Sequence, residues 1–190
     1  VERLVRLREQ VGPSIVLRVD GNVGYRPAQL LPLLQRTASL GLEFVEQPLP
    51  HDRIDAQRLL PAPLVDRLMA DESLHSEVDA RALAAAPRPF GLWNVKLVKS
   101  GGIGPARAIA AIAHQHRIGL MWGCMDDSRI AIAAALHAAF ACPATRFLDL
   151  DGHLDLAEDF ATGGFTLEHG VLRPLDASGL GLQPSGVLSD

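Results

Sequence analysis

The sequence predicts an α/β protein, the C-terminal part of a (β/α)8 barrel of the TIM type, and three observations lead there. Short apolar runs of strand length alternate with longer runs of helical periodicity. Four successive strands close on an ionisable residue, Asp20, Glu46, Asp71 and Lys96, at intervals of 26, 25 and 25 residues. Repeats of that length are single βα units, and a parallel barrel carries its reactive groups at the C-terminal ends of its strands. Six strands can be counted in 190 residues, whereas a full barrel has eight strands and about 250 residues. The chain therefore reads as part of a longer polypeptide, without the first strands.

Leu4, Val5, Leu7 and Val11 fall at helical spacing, which places a helix over residues 1–10. Gly12-Pro13 breaks it, and Ile15-Val16-Leu17-Arg18-Val19-Asp20 forms the first strand. Pro27 opens the next helix, whose apolar face carries Leu30, Leu31, Leu34 and Leu40, and Gly41 stops it. The strand Phe44-Val45-Glu46-Gln47 ends at Pro48, which has no N–H to extend a ladder. A helical stretch over 53–60, cut by Pro61 and Pro63, leads to Leu68-Met69-Ala70-Asp71. Ser76 with Asp79 three residues on reads as a capping box for a helix over 78–86.

The fourth strand is expected over 91–98, with Asn94, Lys96 and Val98 on one face. Gly101-Gly102-Ile103-Gly104 then reads either as a phosphate-cradling turn or as glycine serving backbone geometry alone. Pro105 is placed at the first position of a helix over 106–116. A fifth strand over 118–125 and Asp126-Asp127-Ser128 precede a helix over 130–140, apolar nearly all round. The last strand, Arg146-Phe147-Leu148-Asp149-Leu150-Asp151, carries two acids at period 2, a costly placement unless they face solvent or a cation. A hairpin is expected between 165–167 and 171–172. Residues 1–175 are thus read as the partial barrel with the chemistry, and 176–190 as a polar, Gly-rich tail.

Composition narrows the function. Hydrophobic residues at 48% and charged residues at 21% are globular values. With a net charge of −4 and no basic run, nothing marks nucleic acid or an anionic membrane as a partner. No apolar run reaches membrane-spanning length and the N-terminus is not a signal sequence, so the cytoplasm is the default compartment. Cys124 and Cys142 make neither a metal pattern nor a disulfide framework. Of the 18 Lys+Arg residues only Lys96 and Lys99 are lysines. Arginine stays protonated, whereas burial or a nearby cation can turn a lysine amine into a base. Two neighbouring lysines also arise by chance, and a single acid after a strand commonly caps the next helix. Three acids in step with a lysine favour a shared site. His114 and His116 read as a solvated face, and His153 as a neighbour of the acidic pair that helps line a site.

The runs Val19-Asp20-Gly21-Asn22, Val45-Glu46-Gln47-Pro48, Ala70-Asp71-Glu72-Ser73, Asn94-Val95-Lys96-Leu97-Val98-Lys99-Ser100-Gly101-Gly102, Gly123-Cys124-Met125 and Asp149-Leu150-Asp151 together resemble the enolase superfamily. Within it the likeness is to the muconate-lactonizing branch, and most closely to dipeptide epimerases of the L-Ala-D/L-Glu type. The resemblance implies that Asp20, Glu46 and Asp71 ligate Mg2+, a hard cation that suits carboxylate oxygens. It implies that Lys96 is the acid/base on one face of the substrate α-carbon, with the metal stabilising the enediolate left by proton loss. It implies that Asp149 and Asp151 bind the α-ammonium of a dipeptide, and that backbone near Cys124 and Met125 contacts substrate. Lys99 is secondary, a charge that helps lower the Lys96 pKa.

By the same resemblance, the opposite-face lysine and an N-terminal capping domain fall before Val1, and 176–190 is expected to pack on that domain. Asp127 stands where many relatives have Glu. The implied reaction is Mg-dependent epimerisation of a small dipeptide, an isomerase activity, with the 190 residues alone inactive. Homo-oligomerisation stays open. The alternatives are another member of the branch (a muconate cycloisomerase, an o-succinylbenzoate synthase or an N-acylamino-acid racemase) or a non-catalytic remnant.

Overall fold

The computed structural model describes residues 1–186 and falls into two compact units, Val1–Trp93 and the chain from Asn94 onward. The last four residues of the expected tail, 187–190, lie outside the described residues. In the first unit, α1 (Glu2–Val11) leads to β1 (Leu17–Asp20), α2 (Pro27–Arg36), β2 (Leu42–Glu46) and the single turn α3 (Ala62–Val65). Then come β3 (Leu68–Ala70), α4 (Glu77–Ala84) and the first residues of β4 (Leu92–Lys96). These strands are parallel and neighbour one another in chain order. Every residue of β3 and four of the five in β2 are buried, the near-continuous burial of parallel strands covered on both faces.

Helix α2 stops four residues before the expected Leu40. The Thr37 hydroxyl donates to the Leu33 carbonyl at 2.8 Å, and residues 38–40 tighten into a 3-10 turn. The capping box of α4 forms as read: Asp79 N–H donates to Ser76 Oγ at 3.3 Å, and Ser76 N–H donates to Asp79 Oδ2 at 2.9 Å.

The second unit opens inside β4, and the chain turns helical at once in α5 (Leu97–Ser100). It continues through α6 (Ile103–Gln115), β5 (Gly119–Gly123), α7 (Arg129–Phe140) and β6 (Thr145–Leu148). Four short strands follow, β7 (Ala161–Gly163), β8 (Phe165–Glu168), β9 (Val171–Pro174) and β10 (Leu182–Pro184). Strands β5 and β6 are parallel, β8 and β9 form the expected hairpin, and β10 pairs antiparallel with β7.

Three expectations are corrected here. The fourth strand ends at Lys96, not Val98, because α5 supplies partners for the carbonyls that a longer ladder would have used. Ser100 Oγ donates to Lys96 O at 2.9 Å, Lys99 Nζ to Asn94 O at 3.1 Å, and Gly102 N–H to Leu97 O at 2.8 Å. Gly101, at φ 85°, makes the left-handed turn that closes α5. Helix α6 consequently starts at Ile103, which puts Pro105 third rather than first. The last parallel strand ends at Leu148, so Asp149 and Asp151 sit in the segment after it rather than on its face.

Trp122 is fully buried, and its indole N–H donates to Thr145 Oγ1 at 2.9 Å. The same hydroxyl donates to Ala139 O at 2.8 Å, tying β5, β6 and α7 together. Arg129, at the start of α7, holds the C-terminal strands. Its guanidinium donates to Gly163 O and Phe165 O and lies 4.1 Å from the centre of the Phe165 ring. Three hydrogen bonds to two carbonyls plus a stacking face are what a planar guanidinium serves and an ammonium does not.

Candidate active site

In the first unit, β1 delivers Asp20 and β2 delivers Glu46 directly opposite it in register. Asp71 follows the last residue of β3. Asp20 is exposed, whereas Glu46 and Asp71 are only 7% and 6% exposed. Carboxylates are seldom buried so far unless hydrogen bonds or a cation meet them.

The backbone around these acids is firmly held. Gly21 N–H donates to Glu46 O at 2.7 Å, Val23 N–H to Gln47 O at 2.8 Å, and Gln47 N–H to Met69 O at 2.8 Å. Asp20 Oδ1 accepts from Asn22 N–H at 2.8 Å, closing a turn just past β1. Asn22, Val23 and Gln47 lie at φ 42°, 53° and 25°. A left-handed β-branched residue such as Val23 is strained, and such strain persists only where the surroundings over-determine it.

Three successive strand ends thus bring Asp20, Glu46 and Asp71 side by side. Their carboxylates are not drawn onto one point: among the described residues no group of three His, Cys, Asp or Glu is arranged to hold a metal ion. The donor set itself, hard oxygens on adjacent strand ends with two of the three groups buried, fits Mg2+ in chemistry.

In the second unit Lys96 closes β4, half-buried, with its own carbonyl held by Ser100. Cys124 and Met125 follow β5 directly; Asp149 and Asp151, both exposed, follow β6. These two segments interlock. Cys124 Sγ accepts from Gly152 N–H at 3.3 Å and lies 3.9 Å from Asp151 Oδ1. Burial raises the Cys124 thiol pKa against the pull of the Gly152 N–H, so the thiol stays protonated and faces the Asp151 carboxylate. Gly152 is buried, and a Cβ there would run into the Met125 carbonyl. Asp127 steadies the other end, accepting from Met125 N–H at 3.1 Å.

Asp149, Asp151 and His153 line a cavity of about 300 Å³ whose remaining wall is mostly leucine from β6, the segment after it and the β8–β9 hairpin. Carboxylates at the edge of an apolar wall suit an ammonium carried on carbon. The His153 ring meets Phe165 edge-on at 4.9 Å. Burial, then the positive charge of Arg129, lowers its pKa, so the ring is held neutral. His114 and His116 are exposed, as read.

Sequence reasoning missed what supports these groups. Gln47 was visible only as part of a motif, although its side chain bonds Asp71, Ser73 and Leu49. Arg129 and Asp159, which fix the segments around His153, carry no spacing signal at all; Asp159 Oδ2 accepts from Arg129 N–H at 2.7 Å across 30 residues.

An alternating β/α chain with one polar or ionisable group at each parallel strand end defines a class, and the match is direct. This chain belongs to the enolase C-terminal domain-like family, whose model covers residues 1–186. That domain is a TIM-type barrel, and the parallel strands within each unit, alternating with helices, are of that kind. Among its relatives is the L-Lys-D/L-Arg epimerase of Methylococcus capsulatus, 56% identical over 95% of this chain and 51% of the relative. The crystal structure of a dipeptide epimerase from the same organism, complexed with Mg and the dipeptide L-Arg-D-Lys, aligns with a TM-score of 0.91 at 56% identity, covering 95% of this chain and 51% of the other. A substrate-liganded L-Ala-D/L-Glu epimerase from Bacillus subtilis aligns at 0.86 and 32% identity, over 95% and 50% of the two chains. The chain spans about half the length of the relatives it matches.

Proposed function

We propose that the polypeptide carrying this chain is a Mg2+-dependent epimerase of dipeptides, an isomerase. The observation that carries this reading is the combination, on successive strand ends, of three carboxylates, one lysine and an acidic pair, in a chain 56% identical to a named dipeptide epimerase. Asp20, Glu46 and Asp71 hold Mg2+, which supplies positive charge to the substrate carboxylate and so acidifies the neighbouring α-C–H. Lys96 takes the α-proton on one face and returns one to the same face in the reverse direction. Asp149 and Asp151 receive the α-ammonium, which fixes the dipeptide's direction, and the backbone at Cys124 and Met125 lines its path.

Cationic dipeptides rank first as substrates, because the relatives at 56% and 48% identity are both named L-Lys-D/L-Arg epimerases. The Ala-Glu type expected from the motifs ranks second, supported by relatives at 32% and 33% identity.

The test is deuterium incorporation at Cα, read by mass spectrometry, for the full-length protein in D₂O with Mg2+. L-Lys-L-Arg, L-Ala-L-Glu and N-succinyl-L-arginine are compared. Exchange should be fastest with the cationic dipeptide, and, with L-Lys-D-Arg run as its second epimer, Lys96→Arg should slow exchange from one of the two epimers 10²- to 10⁴-fold, the usual contribution of a positioned acid/base. No exchange with any dipeptide would remove the reading. Exchange of the N-succinyl compound alone would replace it with an N-acyl racemase, an activity named for a relative at 33% identity.

A further inference from the structure

Gln47 is uncharged, stands next to Glu46 and is completely buried. Its carboxamide is fully engaged, with the 71–73 loop and with Leu49 of its own loop. Oε1 accepts from Asp71 N–H at 2.9 Å and Ser73 N–H at 3.2 Å, while Nε2 donates to Leu49 O at 2.7 Å and Ser73 Oγ at 2.8 Å. The peptide that bears the third carboxylate is therefore bonded to the residue that follows the second. Its main chain reaches the first: Gln47 O accepts from Val23 N–H, in the loop that leaves Asp20. These contacts hold Gln47 at a φ of 25°, which a residue other than glycine adopts only under constraint.

We propose that Gln47 is a positioning residue for the divalent-cation set, locking the loops after β1, β2 and β3 so that Asp20, Glu46 and Asp71 can close on one ion. This rests on the reading of those three acids as Mg2+ ligands. Groups that orient ligands without touching the ion typically contribute 10- to 100-fold to metal affinity. No other side chain of this size fills the role. Glutamate has no N–H for Leu49 O and adds a charge, and leucine leaves two N–H groups, one carbonyl and the Ser73 hydroxyl without their present partner.

The experiment is calorimetric titration of full-length protein with Mg2+, with Mn2+ paramagnetic resonance as a second count of bound ion. Wild type, Asp71→Asn, Gln47→Leu and Ser73→Ala are compared, each with its folded content checked by circular dichroism. Wild type should bind one ion per chain and Asp71→Asn should lose it; if either fails, the ligand reading falls and takes this proposal with it. With that reading in place, folded Gln47→Leu should bind Mg2+ 10- to 100-fold more weakly. Unchanged affinity with only a lower melting temperature would overturn the proposal, since a purely structural amide would behave that way. Should Gln47→Leu not fold, Ser73→Ala decides: affinity weakened threefold or more supports the lock, and unchanged affinity overturns it.

Discussion

His153 shows how a single residue's surroundings set its chemistry. Its ring packs on Phe165 near the Arg129 guanidinium, and both burial and that charge oppose protonation. The folded-state pKa lies below the unfolded one, so the unfolded chain binds more protons once pH drops under about 6.5. The contribution to stability is full above that value and is lost as pH falls toward the folded pKa. Urea midpoints of the full-length protein should accordingly drop between pH 7.5 and 5.5, and drop less in His153→Gln. Charged groups were the legible part of the candidate site. Lys96, Asp149 and Asp151 stand out because they are ionisable amid apolar neighbours, whereas Gln47 is neutral and its partners in the 71–73 loop lie 24 and 26 residues away. No periodicity announces such a bond.

Elements were legible where their signals are local. The Ser76–Asp79 box spans four residues and formed as read. Burial pushes the Asp79 carboxyl up, but bonds from the Ser76 hydroxyl and the N–H groups of Ser76 and His75 outweigh it and leave the pKa lowered. That stabilisation is therefore complete above about pH 4 and lost below it. Ser76→Ala should cost about 1 kcal/mol at neutral pH, measured as a shift in urea midpoint, and the cost should shrink below pH 4. The end of β4 was misread because alternation continues in letters through Val98 while the backbone has already turned. A lysine reaching back to a carbonyl five residues earlier and a glycine at positive φ decide that boundary, and neither has a periodic signature. Strand β6 was overextended for a similar reason: the apolar–acid alternation persists past the last paired residue.

For the molecule as a whole, the 25-residue recurrence of strand-terminal groups was enough to give the architecture, since each βα unit repeats the same register of reactive ends. The C-terminal strands were less accessible. What fixes them is a guanidinium bonded to carbonyls 34 and 36 residues away, and main-chain carbonyls look alike in any sequence. At this scale the metal reading also predicts a linkage. Mg2+ at a hundredfold excess over its Kd should stabilise full-length protein by about 2.7 kcal/mol, and EDTA should remove that gain in a thermal melt. Placing one group on each strand end has a further consequence for how such a chain can change over generations. On the proposed reading of Asp149 and Asp151, the segment at 149–152 can be retuned to new amine-bearing substrates while the carboxylate strands stay as they are, at the cost only of a matching change around Met125. The surroundings of Gln47 allow no such freedom, because its side chain and its main-chain carbonyl together tie three loops, so on that reading novelty in this lineage should enter at the 149–152 segment and leave the carboxylate strands alone.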